Sequence, residues 1–108
     1  MKLVRAKKPQ RFTFTESDRE DVVCCVELII LPDLFGERPA AYIHKVYTDE
    51  SCQRQGRATG LVNQAIAKAR KEGCHKIFTI CKDEETAKFY ERFGMVKDQL
   101  GMTLRLSK

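Results

Sequence analysis

The sequence predicts an α+β fold, a mixed, mostly antiparallel central sheet carrying two helices. Three observations predict it. The stretch up to residue 48 holds three β-rich runs separated by polar or Pro/Gly-containing turns. From residue 58 the apolar spacing changes to three and four, the period of an amphipathic helix. A short core strand, KIFTIC (76–81), then separates that helix from a second one.

Residues 1–10, MKLVRAKKPQ, form a basic, Pro-containing lead-in that is expected to be flexible. RFTFTE (11–16) alternates polar and apolar, which predicts a strand. SDRED (17–21) is a polar turn. VVCCVELIIL (22–31) is a long β-rich run, interrupted by Glu27, of the kind buried on both faces. PDLFGERP (32–39) is a loop with Pro and Gly punctuation. AAYIHKVYT (40–48) is the third strand of an expected antiparallel meander.

Ala58, Leu61, Val62, Ala65, Ile66 and Ala69 line one helical face. Lys68, Arg70 and Lys71 suit the negative end of that helix, and Gly73 stops it. After the strand at 76–81, Asp83 is the expected N-cap of the second helix, with Glu84 and Glu85 in its first turn. Thr86, Phe89, Tyr90 and Phe93 give its face, and Gly94 ends it. MVKDQ and MTLRLS then read as a closing hairpin around Leu100 and Gly101. Residues 11–108 form one domain.

The totals bound the function. A chain of 108 residues supports one modest core. No apolar run reaches the length of a membrane-spanning helix, and the start lacks a signal-peptide pattern, so a cytoplasmic location is expected. The five cysteines are odd in number and match no zinc framework, so free thiols and no metal are expected. A site from Cys74, His75 and Cys81 is disfavoured, because adjacent strand residues face opposite ways. The net charge of +5 suits an anionic ligand without choosing among nucleic acid, metabolite or nucleotide.

QRQGRATG (53–60) places small residues and positive charge directly before the first helix. A helix start has amide N–H groups without internal partners and the positive end of the dipole. Small residues let a phosphate approach that backbone. Gln55, Gly56, Arg57, Ala58 and Thr59 would offer the donors, Arg54 and Arg57 the charge; a plain solvated turn is the structural alternative. The Gly-Lys-Ser/Thr ending of a nucleotide-hydrolase loop is absent, and the dinucleotide fingerprint fails. The pattern present is Gln/Arg-x-x-Gly-x-Gly/Ala, as Gln53-Arg54-Gln55-Gly56-Arg57-Ala58.

With that loop between a strand and an amphipathic helix, the chain resembles the GNAT superfamily of N-acetyltransferases. FYERFG (89–94) is similar to the family's later helix motif, and the likeness runs from about Arg11 to Lys108. YIHKVYT, GCHKI (73–77) and GMTLRL (101–106) look like the glucosamine-6-phosphate N-acetyltransferase branch.

The resemblance implies a GNAT-like fold and an acetyl-CoA-dependent N-acetyltransferase, moving acetyl to a primary amine of a small molecule by direct attack. An amino-sugar phosphate is one such acceptor. It implies that Gln53, Arg54, Gln55, Gly56, Arg57, Ala58 and Thr59 grip the coenzyme pyrophosphate. Val46, Tyr47 and Thr48 would pair with the pantetheine arm, one N–H polarising the thioester oxygen. Tyr90 would protonate the leaving thiolate; packing is its structural alternative. His44 is the candidate general base, histidine being a side chain suited to that role, and sits where the branch has a carboxylate. Lys45 replaces a second carboxylate, and with Arg105 favours an acceptor carrying phosphate or carboxylate.

Family members usually begin with a strand and one or two helices that wall the acceptor site. This chain is expected to start near the second strand without them, so that a partner subunit fills the gap, the acceptor cleft is open, or the fold is a reduced form with altered activity; a homodimer covering the exposed sheet is the favoured expectation. Two rival readings stay open. One is a non-catalytic acyl-CoA-binding module, favoured by the lost carboxylates. The other is a nucleic-acid-binding protein, supported by charge alone and by no aromatic RNA-binding motif.

Overall fold

A computed structural model of the chain describes residues 1–5, 7–33, 38–53 and 55–107. Three strands come first: β1 (Gln10–Asp18), β2 (Asp21–Leu31) and β3 (Ala40–Thr48). A 3-10 turn at Glu50–Cys52 leads to helix α1 (Arg57–Lys71). Strand β4 (Lys76–Thr79) and helix α2 (Glu84–Glu91) follow. The described residues before β1 carry no helix or strand, and part of the 32–39 loop, residues 34–37, lies outside the described residues.

The sheet order is β1-β2-β3-β4, the order of the sequence. β1–β2 and β2–β3 are antiparallel, and β3–β4 is parallel, so the sheet is mixed as expected. The β1–β2 turn is only two residues, and Arg19 takes φ 58 there. Cys24, Val26, Leu28 and Ile30 of β2 share the core with Ala41 and Ile43 of β3. Leu61, Val62, Ala65 and Ala69 of α1 close it, on the face that the apolar spacing predicts. Burying a side chain such as Leu28 contributes about 1.5–3 kcal/mol. Lys68 also lies over the Phe12 ring, 4.6 Å from its centroid, joining α1 to β1.

Both helices carry the expected end signals. Lys68, Arg70 and Lys71 occupy the last turn of α1, and Gly73 takes φ 80 beyond it, a conformation that favours glycine. The Asp83 carboxylate accepts the Thr86 N–H at 2.8 Å, as an N-cap should.

The closing hairpin is a correction. No strand forms among the described residues after α2, and residues 95–107 have no regular structure. Alternation in MTLRLS satisfies the local requirement for a strand, but a strand also needs a neighbouring edge for its amides and a layer over its apolar face. Leu100, Met102, Leu104 and Leu106 remain exposed, so neither condition is met.

Candidate active site

The site lies where the sheet opens. β4 pairs with β3 only from Ala40↔Lys76 to Ile43↔Thr79. The Thr79 hydroxyl marks the last contact, donating to the Ile43 carbonyl at 2.8 Å. Beyond it β3 continues to Thr48, held by β2 on one side only. Among the described residues, no strand pairs with the other edge over Lys45–Thr48. Val46 is half-buried toward the core, whereas Tyr47 is exposed. The free backbone groups of this edge can accept another extended chain as a further strand.

β3 changes register at the same place. Glu27↔Lys45 is followed by Leu28↔Ile43, which makes His44 the extra residue of a β-bulge. A bulge overrides simple alternation and re-aims side chains. The His44 ring turns onto β2, its Nδ1 2.5 Å from Glu27 Oε1. Arg11 of β1 donates from Nε to Glu27 Oε2 at 2.7 Å, and its Nη2 completes the ion pair. These two hydrogen bonds hold the Glu27 carboxyl below the usual range, His44 having the larger effect. Among the described residues, Glu27 is the only buried charged side chain in the protein. Sequence reasoning passed over it as a break in an apolar run; that break was the available signal.

α1 follows β3 in the chain, after the 3-10 turn at Glu50–Cys52. Its N-cap is Gly56, at φ 74 and without a side-chain cap, and its first turn carries no acid. A Cβ at Gly56 or Gly60 would meet no atom within 4 Å, so the approach to this helix mouth is unobstructed. The left-handed conformation at Gly56 still favours glycine. The early amides of Arg57, Ala58 and Thr59 lack a preceding turn to accept them. Gln53 and Gln55 are exposed in the same loop. Arg54 lies outside the described residues.

Arg57 does something the sequence did not indicate. Its guanidinium donates from Nη1 to Asp18 Oδ1 at 3.0 Å, with Glu16 3.8 Å from Nε. The Asp18 hydrogen bond raises its pKa. The side chain thus ties the start of α1 to the β1–β2 hairpin.

Tyr90 is buried in the core cluster, with Phe89 edge-on at 5.1 Å. Burial pushes its phenol upward, while a hydrogen bond with Thr79 works in the opposite direction. Tyr90 and Thr79 both line a cavity of about 1200 Å³ beside β4, shared with Phe78, Ile80 and Cys81. Tyr90 therefore meets the sheet at the residue where β3 and β4 part. Lys45 is exposed opposite Glu27. Arg105 is exposed on the C-terminal segment, and among the described residues no hydrogen bond or ion pair joins it to β3.

The five cysteines are free thiols. Among the described residues, no group of three His, Cys, Asp or Glu is arranged to hold a metal, and no helix is long and apolar enough to cross a membrane.

The model of the acetyltransferase (GNAT) family matches residues 2–95. The chain belongs to the GNAT acetyltransferase family. Solved structures agree with this GNAT assignment. A putative acetyltransferase from Agrobacterium tumefaciens str. C58 superposes with a TM-score of 0.81 at 28% identity, over 91% of this chain and 70% of that one. An acetyltransferase from Trypanosoma brucei gives a TM-score of 0.82 at 25% identity, over 89% and 69%. Glucosamine-6-phosphate N-acetyltransferase from Arabidopsis thaliana gives 0.82 at 18% identity, over 90% and 67%, a likeness of fold alone. No curated protein sequence matches the chain. As a GNAT acetyltransferase the protein has a family activity, acetyl transfer; its sheet opens between β3 and β4, and α1 starts without a side-chain cap.

Proposed function

We propose that the protein moves an acetyl group from acetyl-CoA to a primary amine of a small molecule, by direct attack in a ternary complex. The observation that carries this reading is the pairing of an uncapped helix mouth at Gly56 with an unpaired β3 edge at Lys45–Thr48. Amides of the 53–59 loop and the Arg54 charge hold the diphosphate. Backbone groups of Val46, Tyr47 and Thr48 hold the pantetheine arm, and one N–H supports the thioester oxygen. Arg57 contributes through its backbone, since its guanidinium is engaged by Asp18.

The acceptor gives a proton to His44, and Tyr90 protonates the departing sulfur. The acceptor carries phosphate or carboxylate, received by Lys45 and Arg105; an amino-sugar phosphate has this chemistry. The protein works in the cytoplasm, and it works as a homodimer, the second reading resting on the apolar side chains left exposed at Tyr47, Ile80 and the C-terminal segment.

Calorimetry with acetyl-CoA, followed by an acceptor screen starting from amino-sugar phosphates and short polyamines, tests the reading. Binding and turnover are expected. No binding overturns it. Binding without turnover across a broad amine panel replaces it with a non-catalytic acyl-CoA-binding module.

A further inference from the structure

We infer that Glu27 is the positioning residue of a Glu27–His44 pair in which the carboxylate fixes the imidazole so that its Nε2 receives the acceptor's proton. The inference rests on the acetyl-transfer reading above and adds to it a residue and a tautomer.

A carboxylate inside a strand is costly unless its oxygens are paired. Both oxygens of Glu27 are used, and by residues from the two flanking strands: Arg11 of β1 on Oε2 and His44 of β3 on Oε1. Arg11 alone would satisfy the charge. The histidine reaches Glu27 because of the bulge, which places His44 immediately past the last β3–β4 pair. The Tyr42 ring also lies against the imidazole, 5.6 Å away and tilted by 59°. The imidazole is thus confined by a carboxylate and a ring while about half of its side chain stays exposed (52%).

A carboxylate held ionised accepts but does not donate. The atom facing Glu27 is Nδ1, so Nδ1 carries the hydrogen and donates it to Oε1. Nε2 is left with its lone pair, away from Glu27. This is the orienting logic by which a buried acid selects the useful histidine tautomer.

The step balances simply. The amine nitrogen forms its bond to the acetyl carbon while one N–H proton passes to His44 Nε2. The carbon–sulfur bond breaks, and the sulfur takes the Tyr90 proton. His44 returns its proton to solvent and Tyr90 regains one, so the products are the N-acetyl amine and the free thiol of coenzyme A.

The full-length protein is studied as wild type, Glu27→Gln, His44→Ala and the double variant. ¹⁵N NMR of the wild-type imidazole at neutral pH is expected to show Nδ1–H with Nε2 unprotonated; the opposite tautomer overturns the inference. His44→Ala is expected to lower kcat by about 10²-fold or more with the acetyl-CoA Kd unchanged, and added imidazole to restore part of it. Glu27→Gln is expected to lower kcat about 10-fold or more, again without moving that Kd. The double variant should be no slower than His44→Ala, because Glu27 acts through His44.

Additive losses would mean that Glu27 serves only the sheet, and the inference fails. If Glu27→Gln does not fold, Glu27→Asp keeps the charge but shortens the reach, and the same loss of kcat is expected; an unchanged kcat overturns the inference. A wild type that turns over while His44→Ala does so equally well overturns this inference and leaves acetyl transfer standing. A wild type that fails to bind acetyl-CoA overturns both.

Discussion

Tyr90 carries the most specific residue-level expectation. Its hydroxyl belongs to a buried phenol beside Thr79, at the point where two strands part. Tyr90→Phe removes the hydroxyl proposed as proton donor and keeps the ring, so acetyl-CoA binding should persist while turnover falls by about 10²–10⁴-fold. Steady-state kinetics with calorimetry checks this, and unchanged turnover would exclude Tyr90 from the chemistry. Asp83 offers a separate test in the fold. The Thr86 amide holds its carboxyl below the usual range, so its charge favours folding above the ordinary carboxylate pKa. That contribution disappears as pH falls through the lowered value. Asp83→Asn keeps a capping side chain but cannot titrate there. Its melting temperature should therefore fall less steeply on the acid side than that of the wild type, and parallel acid limbs would contradict the assignment. Tyr90 and Asp83 were both legible in sequence, because helical spacing and an N-cap are local signals. The Glu27–Arg11–His44 cluster was not, since it joins positions 16 and 17 apart through three strands and one bulge.

Among the elements, α1 and β3 carry the proposed coenzyme contacts. Gly56 sits at φ 74 with open space where a Cβ would go. Gly56→Ala therefore meets no packing clash, and its cost is backbone strain of about 1–3 kcal/mol. That cost should lower the melting temperature and acetyl-CoA affinity together, read by thermal shift and calorimetry on one sample. A bulkier side chain should lower affinity further by standing in the helix mouth. Unaltered affinity in both variants would remove the loop from coenzyme binding. The strand AAYIHKVYT was legible to the residue, as was the core face of α1, because period and end signals agreed there. The expected hairpin after α2 was misleading for a physical reason. MTLRLS has the period of a strand, yet period says nothing of whether an edge is available to receive it. The tie from Arg57 to Asp18 was likewise invisible, since 39 residues separate the partners.

For the whole molecule, the question is what covers the exposed apolar side chains. Leu100, Met102, Leu104 and Leu106 stand in solvent along one segment, with Ile80 close to Gly101 in space and Tyr47 on β3. Light scattering is expected to give twice the 12.4 kDa chain mass, and Leu104→Lys with Leu106→Lys to reduce association. A monomer at every concentration would refute the homodimer. The α+β class itself was legible from the chain, because each element announced its own period. What covers an exposed face was not, since that depends on contacts no local pattern encodes.

The order of the strands has a consequence for how the protein is made. β1, β2 and β3 lie side by side in the order in which a ribosome delivers them, so that meander has all of its pairings available once Thr48 has emerged. Among the described residues β4 makes the one parallel pairing, and it follows the crossover through α1. The β3–β4 pairing therefore becomes available only after every residue of the three-stranded meander has been delivered.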